Sequence, residues 1–321
     1  MQAVRMLILV FLTTASYYAP AQEVARKMAV TIDDLPTVNV AIESEPARRR
    51  MTLDLLNGLA DRDIPTIGFV NETQLYDQDG RLIDSRVDLL QLWLAAGFDL
   101  GNHSYSHPDL HRIPLDEFKA DVLRGEIVTR ELLAEFGKSP QFFRHPYLHT
   151  GTSLETKSDF ESFLGANGYR VAPVSIDNSE WIFARAYVIA LRSGDESLAS
   201  RIGRDYVDYM LEIVSYYEDQ SRQLFGRNIS HVLLIHANQL NADWFASLAD
   251  RLTALGYEFI SLKEALDDEA YQSADSYTGP GGITWIHRWA MTRNVDRSMF
   301  QGEPATPNYV LELSRLPEHS Y

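Results

Sequence analysis

The stretch KMAVTIDDLP, residues 27–36, decides how the rest of the chain is read. Met28, Ala29, Val30 and Ile32 are apolar and strand-like, and the run ends in two adjacent acids, Asp33 and Asp34, before Leu35 and Pro36. Neighbouring carboxylates raise each other's ionisation cost unless something positive sits beside them. The position of the pair, at the carboxyl end of a buried strand, is where parallel α/β folds gather their chemistry.

Working outward, strand-like and helix-like segments alternate. IPTIGFV, FDLGN, QFFRHPY, YRVAPVSID, HVLLIHA and YEFISL read as six further strands. Between them, EPARRRMTLDLLNGLADRD places Met51, Leu55, Leu56 and Leu59 on one helical face, and DSRVDLLQLWLAAG carries an aspartate cap and a glycine stop. PLDEFKADVLRGEIVTRELLAEFG reads as one long amphipathic helix, a further helix runs from about Glu155 to Ala166, and ADWFASLADRLTALG is the last. Seven strands in such repeats predict a distorted (β/α) barrel rather than an open sheet. A helical insertion over about 180–227 and a tail from 270 to 321 interrupt the alternation. With no internal repeat, the division expected is residues 22–269 as the barrel and 270–321 as an extension packed on it, with GGITWIHRWAMT and its Trp285 and Trp289 serving mainly to dock the tail.

Composition narrows the class. The chain has 321 residues, 45% of them hydrophobic, and 45 acids against 29 bases give a net charge of −16. So acidic a surface argues against nucleic acid and anionic membranes as partners. Residues 1–21 look like a signal peptide. Arg5 precedes a short apolar run, Met6 to Thr13, and Ala19-Pro20-Ala21 supplies an A-x-A cleavage site. The expectation is a secreted or periplasmic protein with no stable membrane insertion. The chain has no cysteine, so its core must hold without disulfides.

The remaining strand ends carry a constellation. GNHSYSHPDL brings His103 and His107, RHPY brings Arg144 and Tyr147, IDNSEW brings Asp177 and Trp181, and LIHAN brings His236. Spacing alone cannot choose ligands. Nine histidines in this length give about a quarter of one HxxxH pair by chance, yet three occur: His103/His107, His107/His111 and His145/His149. Position favours the first. His103 follows a strand end directly, and His107 is expected one helical turn further on. Two imidazoles and a carboxylate form a mixed N/O site suited to zinc or a similar divalent ion, with positions left for water and substrate. A cation also answers the problem posed by the two acids. One can bind it while the other stays free as a base.

TIDD, HSYSH, RHPY, DNSEW and LIH stand in the order, and at roughly the separations, of the five motifs of the polysaccharide deacetylases, carbohydrate esterase family four. The resemblance runs from about Met28 to Leu266. It implies metal-dependent hydrolysis of N-acetyl or O-acetyl groups on sugars, that is, a hydrolase of carbon–nitrogen bonds in linear amides with an acetylated glycan as its partner. Carried over residue by residue, it implies that Asp34, His103 and His107 bind one divalent ion, zinc being the expected metal. Asp33 is then the general base, Arg144 pairs with and orients it, and the Tyr147 N–H helps hold the oxyanion. His236 is the general acid, Asp177 tunes it, and Trp181 shapes the groove wall. Departures are Leu35 where the family often has glycine, His145 between Arg144 and Pro146, and Glu180 where a second aspartate is common. These touch substrate choice more than reaction type. Alternatives are a same-fold hydrolase of another amide or ester, such as a small cyclic amide, and a non-catalytic carbohydrate-binding barrel.

Overall fold

The computed structural model describes residues 26–316; the expected signal peptide lies outside the described residues. Seven strands form one parallel sheet: β1 (Arg26–Leu35), β2 (Thr66–Val70), β3 (Asp99–Asn102), β4 (Phe142–Phe143), β5 (Arg170–Val171), β6 (His231–His236) and β7 (Tyr257–Phe259). The path runs β5-β4-β3-β2-β1-β6, and β7 pairs the first residues of β1. The sheet curls because the stretch after β5 crosses to its other end. Arg170 and Val171 pair with β4, and Ile176 then bridges Leu233 in β6. The expected distorted barrel is therefore present. Its central strand is buried on both faces, with Met28, Ala29, Val30 and Ile32 at 1% exposure or less, each larger apolar side chain contributing about 1.5–3 kcal/mol.

Helices cover the outside: α1 (Glu45–Ala60), α2 (Asp84–Ala95), α3 (Leu115–Arg124), α4 (Ile127–Glu135), α5 (Leu154–Ala166), α6 (Glu180–Arg192), α7 (Glu196–Phe225), α8 (Gln239–Ala254), α9 (Leu262–Ala265), α10 (Trp285–Thr292) and α11 (Asn308–Ser314). The single long helix expected over 114–137 is two, α3 and α4, broken at Gly125. The reason is a close approach. A Cβ on Gly125 would lie 2.3 Å from the Ser104 carbonyl carbon and 2.4 Å from the Tyr105 nitrogen, so the loop carrying His103 and His107 rests on this break. The expected insertion is α6 and α7, which bury Tyr206, Val207, Met210, Ile213 and Val214 in the main core. Trp285 and Trp289 are buried as well, and Trp285 N–H donates to Val174 O at 2.8 Å. No helix among the described residues is long and apolar enough to cross a membrane.

Candidate active site

Asp33 and Asp34 end β1 in a bulge. Ile32 pairs with Gly68 and Leu35 with Val70, so β1 spends one residue more than β2 over this interval. The extra residue breaks the alternation of faces, and Asp34 turns back at φ 62°. Across the other edge, Asp33 is the register partner of His236. Burial pushes the Asp33 carboxyl up, and Arg144 with His236 and His107 pull the other way.

His103 and His107 meet Asp34. Its Oδ1 lies 3.6 Å from His103 Nε2 and 3.8 Å from His107 Nε2. This oxygen is buried and has no hydrogen-bond partner. Around a four-coordinate ion with bonds of about 2.0–2.2 Å, donor atoms sit about 3.4 Å apart, so these spacings suit an ion held among the three. The tautomer suits it too. His103 Nδ1 faces the Arg144 carbonyl at 2.9 Å, and since a carbonyl only accepts, the ring proton is on Nδ1 and Nε2 offers its lone pair. Burial, then the neighbouring His107, holds His103 down to about 3, which keeps it a neutral ligand. The connection is not the helical turn expected from the sequence. It is a loop with positive φ at Ser104 (69°) and His107 (55°), fastened by Asn102 Oδ1 to Ser104 N–H at 2.7 Å and by Ser104 Oγ to His107 N–H at 3.1 Å.

Arg144 is fully buried. Its Nη1 stands 3.7 Å from Asp33 Oδ2, and its Nη2 donates to Thr31 Oγ1 at 2.7 Å. Two residues on, the chain makes a tight turn in which Leu148 and His149 N–H donate back to the His145 and Pro146 carbonyls. The Tyr147 ring is 55% exposed and packs edge-on to His107, 4.6 Å between centroids.

His236 differs from expectation in its partner. Its Nδ1 donates to Glu180 Oε2 at 2.8 Å, not to Asp177. Glu180 is the first residue of α6 and is buried, with Asn241 Nδ2 donating to its Oε1 at 2.8 Å and Asn238 Nδ2 donating to the same oxygen. Burial alone lowers the His236 pKa, but the Glu180 hydrogen bond and charge, with Asp34 and Asp33, outweigh it and push it up to about 9. Asp177 sits three residues earlier, before the helix starts; its Oδ1 accepts from Asn178 N–H at 2.9 Å and its charge acts on Arg144. The one signal for Glu180 in the sequence is its place where the resembling family often carries a second aspartate. Trp181 is partly buried, and with Asn39, Arg185 and the end of α11 it lines a cavity of about 730 Å³.

A second group of the same composition, Asp109, His111 and His149, lies beyond Tyr147. Two of its imidazole nitrogens are already engaged. His149 Nδ1 bonds Asp109 Oδ1 at 2.7 Å, and His111 Nε2 accepts from Gly151 N–H at 3.2 Å. The two rings are stacked 3.9 Å apart at 2°. Lone pairs lie in the ring planes, and two parallel planes cannot share one ion. His145, the third HxxxH candidate, is buried against Phe143 and Phe160.

Fold and site together describe a parallel β/α barrel with a His/Asp trio able to hold a cation, flanked by a buried carboxylate and a carboxylate-bound histidine. The polysaccharide deacetylase family model matches residues 21–161, which carry Asp33, Asp34, His103, His107, Arg144 and Tyr147 and stop short of Asp177, Trp181 and His236. The resemblance read from the motifs is thereby shown for that part of the chain. A peptidoglycan-N-acetylglucosamine deacetylase from Bacillus cereus is 29% identical over 85 residues, 26% of this chain and 28% of that protein. A chitin deacetylase from Colletotrichum lindemuthianum is 25% identical over 142 residues, 44% of this chain and 52% of that one. The matches thus span about half or less of either relative. Among solved structures, a CE4 family pseudoenzyme from Bacillus anthracis superposes with a TM-score of 0.50 at 14% identity over 76% of this chain and 66% of that one. A mutant CE4 family pseudoenzyme with restored enzymatic activity superposes equally well, at 16% identity over 76% and 68%. These likenesses show the fold.

Proposed function

We propose that the protein is a metal-dependent hydrolase that removes acetyl groups from N-acetylated or O-acetylated sugars. The observation that carries the reading is the unpartnered Asp34 Oδ1 facing two imidazole nitrogens at 3.6 and 3.8 Å, with Asp33 and His236 paired in register beside it. Asp34, His103 and His107 hold the divalent ion, zinc by the chemistry of the donor set. When bound, such an ion polarises an acyl carbonyl and lowers the pKa of water.

The chain's own groups do the rest. Asp33, turned toward its task by Arg144, accepts the proton of the attacking water. Tyr147 N–H donates to the oxyanion. His236, kept protonated by Glu180, gives its proton to the leaving nitrogen or oxygen, and acetate departs. Trp181, next to Glu180 at the start of α6, lines the cavity beside the end of α11. Secretion fits the reading, since acetylated wall and matrix glycans lie outside the cytoplasm.

Acetate release from acetylated chitooligosaccharides, peptidoglycan fragments and acetylated xylan, with and without chelator, tests this. Turnover that a chelator abolishes and zinc restores is expected. Activity indifferent to chelation sinks the metal-dependent mechanism, and no release from any acetylated glycan by metal-loaded protein sinks the substrate class.

A further inference from the structure

The tail after the barrel reaches the loop that carries Tyr147. We propose that the segment Asp275–Trp289 is a brace that positions the Tyr147 N–H, with Gly282 and Arg288 as positioning residues. The inference rests on the deacetylase reading only for what the N–H does.

The loop needs holding. Tyr147 and Leu148 both adopt positive φ, 57° and 55°, a conformation that costs a non-glycine residue of order 1–3 kcal/mol. Such a turn persists only when its surroundings over-determine it. The surroundings here come from the tail. Gly282 lies so close that a Cβ on it would stand 1.7 Å from Tyr147 O and 3.3 Å from Leu148 Cβ. Its φ is not in the left-handed region, so the requirement for glycine is one of space alone. Arg288, fully buried, reaches the same turn from below. Its Nη1 donates to Leu148 O at 3.3 Å, and its Nη2 donates to Thr150 Oγ1.

Arg288 is itself fixed. Its Nε lies 2.9 Å from Asp275 Oδ2, which also meets Lys157 Nζ at 2.5 Å on α5. Its guanidinium rests 4.4 Å over the Trp285 ring, and Trp285 is tied to the barrel through Val174 O. A third tie comes through His111, whose ring accepts from Gly151 N–H and faces the Pro280 carbonyl. A buried guanidinium that meets Asp275 with Nε and gives both Nη groups to one loop is an expensive way merely to dock a tail, because burying an ion pair is costly and apolar residues would pack as well. Geometry for an oxyanion donor is demanding, and about 1 Å of misplacement costs about 100-fold in rate.

The test uses the full-length, metal-loaded protein and the variants Arg288→Gln, Arg288→Lys and Gly282→Ala. Metal content is measured, with kcat and KM on an acetylated chitooligosaccharide and on 4-nitrophenyl acetate, and amide hydrogen exchange is followed over residues 145–151. Expected for Arg288→Gln and Gly282→Ala are one metal per chain, KM near wild type, and kcat lower by about 10- to 100-fold. Both substrates should suffer alike, since both form an oxyanion. Exchange should quicken over 145–151 and stay unchanged in β1 and β6. Arg288→Lys, keeping one donor, should fall between. If Arg288→Gln does not fold, the other two variants decide. Unchanged exchange over 145–151 with kcat within about 2-fold of wild type overturns the brace, as does loss of the metal, which would place the effect at the ion site. Quickened exchange in variants of a protein whose wild type releases no acetate leaves the brace standing and sinks the deacetylase reading.

Discussion

Among the described residues, two places bring together one aspartate and two histidines, and they are built oppositely. At Asp34, His103 and His107 the donor atoms stand 3.6 and 3.8 Å apart, too far to bond one another, and the rings meet edge to face at 73°. At Asp109, His111 and His149 the aspartate and one imidazole are bonded at 2.7 Å and the rings lie parallel at 2°. The first trio turns three ligand atoms toward one another and leaves Asp34 Oδ1 without a hydrogen-bond partner. The second satisfies itself. A ligand set is thus defined by where lone pairs point and by what they lack, not by composition or by HxxxH spacing.

The largest effect expected follows directly. His103→Ala or His107→Ala should abolish stoichiometric metal and bring turnover to background, while His111→Ala and His149→Ala should each keep one metal per chain. Metal analysis by mass spectrometry checks both arms. A second equivalent of tightly bound metal, lost in His149→Ala, would break the comparison. Folding should survive metal loss, because the barrel has its own core.

Next in size is the carboxylate that the ion leaves free. Asp33→Asn should retain the metal and lose about 10²- to 10⁴-fold in kcat, since an amide cannot take up a proton. His236→Ala should also keep the metal, and a good leaving group such as 4-nitrophenolate should partly restore its rate. Near-wild-type turnover in Asp33→Asn would remove it from the role of base.

How far the sequence reveals this differs from part to part. All seven strands are legible because their apolar runs are short, separated and followed by turn residues, even where only two residues, Phe142–Phe143 or Arg170–Val171, finally pair. The Asp33-Asp34 pair, His103 and His107 stand out because they lie at or just after strand ends, while the choice of Asp34 over Asp33 comes from the family resemblance alone. The break at Gly125 is not, since nothing local to a helical pattern announces that another loop's backbone will press on it. Glu180 escapes for a related reason. Reading strand ends selects Asp177, but the side chain that reaches His236 starts one turn later, on α6, and crosses 56 residues of sequence to bond it. The loop form of HSYSH likewise depends on Asn102 and Ser104 side chains bonding backbone, which a spacing rule does not see.

The Glu180 assignment has its own consequence in pH. His236 is raised from 6.5 to about 9 in the fold, so it stays protonated through neutral pH. A raised pKa of this kind contributes stability fully below about 6.5 and loses it as pH climbs through about 9. The ion's charge opposes the parts due to Asp33 and Asp34, so the alkaline limb of kcat/KM lies at or below about 9. Glu180→Gln leaves burial, which lowers the pKa, and should bring the limb down by about 2 pH units. Asp177→Asn should leave it near its place. The limb belongs to coupled groups, so only its displacement is read. A limb that moves with Asp177 and ignores Glu180 would reverse the assignment.

The smallest effect concerns the self-satisfied trio. Asp109 Oδ1 accepts from His149 Nδ1 at 2.7 Å and from His111 N–H at 2.8 Å, which fastens the loop after β3 to the loop after β4. Burial raises the Asp109 pKa, but the His149 and His111 hydrogen bonds outweigh it and hold the carboxyl below its usual 3.8. A depressed carboxylate contributes stability above the unfolded pKa and loses it as pH falls through the folded one. Asp109→Asn keeps an acceptor oxygen and loses the charge, at a partly exposed site where solvent weakens the interaction. It should therefore cost about 1 kcal/mol in urea unfolding at pH 7, with the difference from wild type fading toward pH 3 and below. Metal content and kcat should stay as in wild type. The decisive control is added zinc. If the trio were a metal site held shut only in the absence of its ion, zinc beyond the first equivalent would stabilise wild type, and Asp109→Asn would abolish the gain. Equal responses of the two proteins to zinc keep the trio as a latch between loops. A stabilisation confined to wild type would make the two clusters alike after all.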